Sequence, residues 1–519
     1  MKRTSTAREP YAPRRPRRAA AALAASAAVL AASAAVLAAL LTPATASAAP
    51  APAAATPLPA ELETIRAAEA TALYGDPAER PLDQRKSSLI SLGDSQISGE
   101  GVGNYEAGTD GPTNWCHRSK DAAVHRTGIP ADVTYNVSCS GANSANIRIG
   151  GSRQYADELV QSDSLAIKAR NTRIKQVLVV AGANDDLQFG PVMTDCVTRY
   201  LLLQGACNPK YDPGWQGRVD GLIPKVTATL GDLKKVMGDA GYADGSYELV
   251  LMSYSSPITP DFRDNPKFPG KLPGGCVGYD ADARWGRDTA VPAFQKGLRT
   301  AARQAGATYL DGSRLFQGHE VCTDNTWVRG LTVDLSNPFP PDANSVRQSF
   351  HPNGRGHAAF AACLSALHGT GLREASCADP GSTGRPVLRA GAWDDAFKPL
   401  RAGTGVCLDA KGGDTLNDTA LIGWDCTGTR NQGWWQSPDT GTVHIETTHD
   451  RCLDVPGADY RAGRALVLYD CAGQPNQKFT RTGTTLRPTA AQNLCVTLTA
   501  KNTPARLQTC DGSAAQSLA

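Results

Sequence analysis

The chain has 519 residues, 41% of them apolar and 20% charged, enough for two domains that each bury a core of their own. Its 53 basic and 50 acidic side chains leave a net charge of +3 with no basic stripe, which excludes nucleic acid and an acidic membrane surface as partners. Fourteen cysteines, an even count without any C-x-x-C pair, argue for disulfides in an oxidising compartment and against structural zinc.

Residues 1–48 read as a secretory signal. Arg8, Arg14, Arg15, Arg17 and Arg18 precede an apolar run over 19–41, and Ala46-Ser47-Ala48 supplies a small-residue cleavage site. The run is also long enough to span a bilayer, so an uncleaved anchor is the alternative, and the Arg14-Arg15 pair leaves Sec and twin-arginine export both open. Residues 49–86 form an N-terminal extension. From 87 to 380 the apolar runs SLISL (88–92), QVLVVA (176–181), YELVLM (247–252) and ATYL (307–310) predict buried parallel strands. Helical stretches such as SLAIKARNTRIK and VPAFQKGLRTAARQAG lie between them. This alternation predicts an α/β fold, a parallel sheet sandwiched by helices, with its functional residues at the carboxyl ends of the strands.

The first predicted strand ends on Gly93-Asp94-Ser95 within SLGDSQISGEG, a turn that is either a plain glycine loop or the seat of a nucleophile. No serine fits the G-x-S-x-G elbow. Three more blocks lie further along: CSGANSAN at 139–146, AGANDD at 181–186 and SFHPNGRGH at 349–357. Taken singly, Asn184 reads as a turn residue, Gly141 as a loop glycine and His351 as a loop histidine. GEGVG at 99–103 imitates a dinucleotide loop but lacks the full G-x-G-x-x-G, and no metal or phosphate motif occurs, so neither cofactor nor metal is expected.

Taken together, Ser95, Gly141, Asn184 and His351 stand in the order of the SGNH hydrolases, the GDSL esterases and lipases, which residues 87–380 resemble. NWCHRS at 114–119 and the successive paired cysteines are similar to the secreted actinobacterial branch of that family. The resemblance implies a flavodoxin-like sheet and a nucleophile at Ser95. His351 would be its base, and the oxyanion would be held by the Ser95 and Gly141 backbone N–H groups and the Asn184 amide. One departure stands out. The family's last block is D-x-x-H, and here Gln348 stands three residues before His351. The expectation is therefore a Ser95–His351 dyad with a main-chain carbonyl orienting the imidazole, a triad being the alternative; His357 is the weaker candidate base. The eight cysteines of this half fit consecutive pairing, Cys116 with Cys139, Cys196 with Cys207, Cys276 with Cys322 and Cys363 with Cys377, although sequence alone leaves connectivity open. The first pair would brace the loops bearing Ser95 and Gly141.

PGSTGRPVL at 380–388 reads as a linker, and beyond it the chain repeats itself. Cys407 and Cys452, Asp409 and Asp454, Cys426 and Cys471, and Gln432 and Gln477 all recur at a constant offset of 45 residues. A third, worn copy keeps Cys495, Cys510 and Gln516. Three units too small to bury a core alone must pack together, and short strands between turn residues make that core all-β. Each copy's cysteine pair is expected to close its own loop. Residues 386–519 resemble the ricin B-type lectins, β-trefoils whose lobes start with C-L-D and end with Q-x-W. That likeness implies sugar contacts from Asp409, Trp424 and Asn431 in the first lobe and from Asp454, Tyr469 and Asn476 in the second. The third lobe, with Thr497, Gln508 and Ala515 at these places, is expected to be silent.

The two halves define competing functions. The first is a secreted serine carboxylic ester hydrolase brought to glycans by its trefoil, acyl groups on polysaccharide being the substrate this suggests. The second is a lectin with an inactive hydrolase fold. A third, a lipase or phospholipase whose trefoil is a spacer, would fit better with a long apolar lid segment, which the sequence does not show. A monomer is expected in each case.

Overall fold

A computed structural model describes residues 56–258, 275–321, 323, 325–331, 347–379, 384–438, 440–447 and 451–519. The signal read over 1–48, the first residues of the linker, and Cys322 with its expected pairing to Cys276 lie outside the described residues.

Seven strands form one sheet: β1 (Ser87–Gly93), β2 (Val133–Asn136), β3 (Arg173–Val180), β4 (Glu248–Met252), β5 (Thr308–Asp311), β6 (Glu374–Ala378) and β7 (Val387–Ala390), in the order β2-β1-β3-β4-β5-β6-β7. The first six are parallel, and β7 pairs antiparallel with β6. The helices that cover the sheet or carry residues of interest include α1 (Ser95–Ser98), α2 (Gln161–Asn171), α3 (Val291–Ala305) and α4 (Gly354–Leu367), and a long helix over Asn208–Asp239 packs in the same core as α2 and α3. The strands are apolar on both faces because both are covered. Ile90, Leu92, Val177, Val179, Leu249 and Leu251 pack with Leu165 of α2 and Phe294 and Leu298 of α3, whereas Leu178, Val180, Val250, Met252 and Leu310 pack with Phe360 and Leu364 of α4. The order reverses at β1/β3, and at such a switch point the loops leaving adjacent strands part and open a crevice.

The trefoil carries its repeat into geometry. Strand pairs 407–410 with 421–424, 451–454 with 467–470 and 494–497 with 506–509 are antiparallel hairpins in the same register, setting Cys407 opposite Trp424, Cys452 opposite Tyr469 and Cys495 opposite Gln508. The disulfides Cys407–Cys426, Cys452–Cys471 and Cys495–Cys510 close the three loops, each with Cα atoms 5.1 Å apart. Such a bridge contributes about 3 kcal/mol by limiting the unfolded chain. Leu408, Leu421, Leu453, Leu468, Val496 and Leu507 meet in the shared core.

One boundary needs correcting. Residues 387–390, read as the end of the linker and the start of the trefoil, form β7 of the hydrolase sheet. The reason is edge protection: β6 would otherwise leave a row of backbone groups unpaired. The chain then stays docked. The Trp393 backbone N–H donates to the buried Asp311 carboxylate at 2.9 Å, and Trp393 packs with Phe397, Ala378 and Trp435 of the first lobe. Arg389 lies over the rings of Trp393 (4.9 Å) and Trp435 (3.9 Å). Arg314 reaches Asp394 and the Glu446 carbonyl, both at 2.9 Å, and Arg430 of the trefoil donates to the Arg287 and Asp288 carbonyls. These contacts join the edge of the sheet to the first lobe of the trefoil within one compact unit.

Candidate active site and lectin lobes

Strand β1 ends where only glycine fits. Gly93 has φ +133°, and a Cβ there would lie 1.9 Å from the Val180 carbonyl oxygen of β3. The buried Gln161 amide clamps it, accepting from the Gly93 N–H at 2.7 Å and donating to its carbonyl at 2.9 Å. Asp94 then caps the single turn of α1, its Oδ1 accepting from the Gln96 N–H at 3.1 Å. Ser95 is the first residue of that turn, where an amide has no partner within its helix.

The other three predicted residues arrive from separate elements. Gly141, at φ +83°, follows Cys139, which donates its N–H to the Gly93 carbonyl at 3.0 Å and is bonded to Cys116. Asn184 leaves the end of β3, and its Nδ2 donates to the Ala142 carbonyl at 3.0 Å. Asp185 fastens the same two loops by accepting from the Ser144 N–H and hydroxyl at 3.2 and 2.8 Å. His351 precedes α4 and places Nε2 2.8 Å from the Ser95 Oγ. Its Nδ1 faces the Ser349 carbonyl at 3.1 Å. A carbonyl only accepts, so Nδ1 carries the proton and Nε2 offers its lone pair to the serine hydroxyl. Burial holds the imidazole below its usual range, against the opposing charge of Glu100 and the Ser349 carbonyl. Gln348 turns away, accepting from the Arg329 guanidinium at 2.8 Å. His357 is elsewhere: its Nδ1 accepts from the Ala123 N–H at 3.1 Å inside the core, and burial drives it down to about 3.

Tyr254 was not legible as a site residue. Its hydroxyl gives a short hydrogen bond to Asp94 Oδ2 and accepts from the Ala183 N–H at 3.2 Å, so one side chain ties the serine turn to the Asn184 loop. Burial pushes the Asp94 carboxyl up to about 7 despite that bond and the one from Gln96. The only sequence hint was a tyrosine just past the end of a predicted strand.

Ser95 and His351 thus meet beyond the carboxyl end of β1, and the loops that bear Gly141 and Asn184 are tied to each other and to the end of that strand. The family model for GDSL-like lipases and acylhydrolases matches residues 91–359, just over half of the chain. The chain belongs to that family. Membership places it among the ester hydrolases. It is similar to a lipase of Streptomyces rimosus, 25% identical over 291 residues that cover 54% of this chain and 91% of that one. It is also similar to Lipase 1 of Streptomyces coelicolor, 23% identical over 54% of this chain and 89% of that one. A crystal structure of an extracellular lipase from Streptomyces rimosus aligns with 52% of this chain and 95% of its own at 20% identity and a TM-score of 0.34. A second model, the ricin-type β-trefoil lectin domain, matches residues 397–517.

In the lectin domain of this GDSL-like hydrolase, each predicted carboxylate is fixed by its own lobe. Asp409 Oδ2 accepts from Asn431 Nδ2 at 2.9 Å and from Gln432 Nε2 at 2.8 Å. Asp454 accepts from Asn476 at 3.0 Å and from Gln477 at 2.8 Å. The aromatic platforms differ. Tyr469 is exposed, whereas the Lys501 ammonium, arriving from the third lobe, lies 4.7 Å over the Trp424 ring and pairs with Asp425. Thr497 in the third lobe is buried and donates to the Cys495 carbonyl at 3.0 Å.

Proposed function

We propose that the chain is a secreted serine carboxylic ester hydrolase directed to carbohydrate by its trefoil. The observation that carries this reading is the alignment of Ser95 Oγ, the His351 imidazole and the Ser349 carbonyl through contacts of 2.8 and 3.1 Å. In the proposed reaction Ser95 Oγ bonds to the ester carbonyl carbon while its proton passes to His351 Nε2. The negative charge that forms on the carbonyl oxygen is met by the Ser95 and Gly141 N–H groups and by the Nδ2 hydrogen of Asn184 that Ala142 does not use. His351 returns its proton to the leaving alcohol, and water then cleaves the acyl-serine through the same groups in reverse roles. Secretion is supported by the basic and apolar N-terminal sequence and by six disulfides among the described residues. The match of residues 397–517 to the ricin-type lectin domain supports acyl groups on polysaccharide as the substrate.

Ser95→Ala should abolish hydrolysis of a short nitrophenyl ester and labelling by a fluorophosphonate, while leaving the fold and adsorption to glycans intact. Labelling of a different serine, or an alanine variant that keeps its activity, would sink the assignment.

A further inference from the structure

Glu100 is fully buried, five residues beyond Ser95, and the proposed reaction leaves it without a role. Its Oε2 lies 2.6 Å from Nδ1 of the equally buried His117, whose Nε2 lies 3.1 Å from Asp110 Oδ1 at the surface. Tyr105 stacks on the His117 ring at 4.5 Å. The Ser140 side chain also favours the charged carboxylate by hydrogen bonding. A charged carboxylate in the core costs stability unless it is paired. A glutamine of the same shape would avoid the charge.

The backbone around it lies against the loop of His351. Gly99 and Gly101 flank Glu100 at φ +104° and +86°, and a Cβ on Gly99 would lie 2.3 Å from Ser119 Cβ. A Cβ on Gly101 would lie 3.2 Å from His351 Cβ, 3.2 Å from the Pro352 carbonyl and 3.4 Å from that of Gln348. The S-G-E-G stretch is thus pressed directly against the loop that holds the base. The other charged and titratable groups around that loop are His117, Arg347, Arg329, whose N–H donates to the His351 carbonyl, and His357 at the start of α4.

We infer that Glu100, kept ionised by the His117–Asp110 pair, supplies His351 through space with the negative charge that a triad carboxylate would give by direct contact. It is a positioning and electrostatic residue, since it touches neither Ser95 nor the reacting carbonyl. The charge states agree with the geometry. Burial would raise the Glu100 carboxyl, but His117 and the charge on His351 bring it below its usual range; burial would lower His117, but Glu100 and Asp110 lift it. The Glu100 charge also counts for more than the His117 charge at His351. Removing Glu100 therefore makes the imidazolium less stable, so the base stays neutral to lower pH and the proton transfer from Ser95 is less favourable.

The role rests on the active-site proposal, and the test separates the two. The full chain, Glu100→Asp and Glu100→Gln are compared on a soluble short-chain nitrophenyl ester across pH, with fluorophosphonate labelling of Ser95 as the control. Glu100→Gln should lower kcat roughly tenfold to a hundredfold with little change in KM, and the acid limb of kcat/KM should move to lower pH. Glu100→Asp keeps the charge at a longer reach and should fall between the two. Where Glu100→Gln does not fold, the Glu100→Asp limb decides. An active wild type whose limb coincides with that of folded Glu100→Gln, or with that of Glu100→Asp where Glu100→Gln does not fold, overturns the role of Glu100 alone. A wild type that neither hydrolyses the ester nor labels at Ser95 overturns the active-site proposal and this role with it.

Discussion

His351 shows how much of a site can rest on one backbone carbonyl. The Ser349 carbonyl fixes the imidazole tautomer without adding a charge, and the residue between them, Phe350, sits at φ +62°, a conformation that costs a non-glycine residue about 1 kcal/mol or more. Backbone pairing holds it there: the Phe350 N–H donates to the Arg329 carbonyl and the Arg329 N–H to the His351 carbonyl, both at 2.8 Å. Because Gln348 points to Arg329, Gln348→Ala should lose less than about tenfold in kcat, whereas loss of an orienting triad carboxylate costs nearer 10⁴-fold. A thousandfold loss would show that the glutamine, and not the carbonyl, orients the base. Burial holds His351 below its usual range, so the neutral base persists to lower pH, and the acid limb of kcat/KM should lie below that of an exposed histidine.

At the scale of elements, β7 decides where the hydrolase ends. A chain cut after 384 loses β7, bares the β6 edge and leaves the buried Asp311 carboxylate without the Trp393 N–H. A chain cut after 396 keeps both. The longer fragment should therefore unfold at a temperature several degrees higher than the shorter, consistent with a loss of a few kcal/mol from one strand and one buried hydrogen bond. Equal melting temperatures would show that β7 belongs to the trefoil in its energetics. The lectin hairpins differ at this scale too. Lys501 lies over Trp424 while Tyr469 is open, so Asp454→Ala should weaken adsorption to glycans more than Asp409→Ala does. In an Asp454→Ala background, Lys501→Ala should restore part of the loss by clearing the first lobe's ring. Adsorption isotherms check this, and no gain from Lys501→Ala would mean that the ammonium does not compete with sugar.

For the molecule beyond residue 52, the trefoil packs on the hydrolase sheet within one compact unit, an arrangement that would set the proposed catalytic crevice and sugar-binding lobes in relation to each other. On a soluble ester the trefoil adds nothing to the transition state, so the chain cut after 396 should keep its kcat/KM there. On insoluble acylated polysaccharide it should be slower by an order of magnitude or more, because adsorption raises the local concentration of the crevice at the surface. Progress curves on the two substrates test this together; equal slowing on both would instead indicate damage to the crevice. Such packing would also limit which bonds an adsorbed molecule reaches, a constraint that a loose tether would lack.

Much of this was legible along the chain. The period of 45 residues dictated a trefoil because three small units can bury a core only together, and the apolar runs dictated a covered parallel sheet because their strands leave no polar face. Ser95, Gly141, Asn184 and His351 could be proposed from sequence only together, because their order resembles that of the SGNH hydrolases while each alone reads as a loop residue. What only the tertiary structure decided are the contacts between distant stretches. β7 was hidden because a four-residue edge strand carries no period, and its pairing with β6 is antiparallel and nonlocal. Tyr254 and the docking of Arg389 between two tryptophans leave no pattern in sequence, since each depends on what another loop presents. Glu100 was in plain view inside a glycine-rich turn. Its burial beneath the His351 loop could be seen only once the chain had folded, because a charge acts through space and not along the backbone.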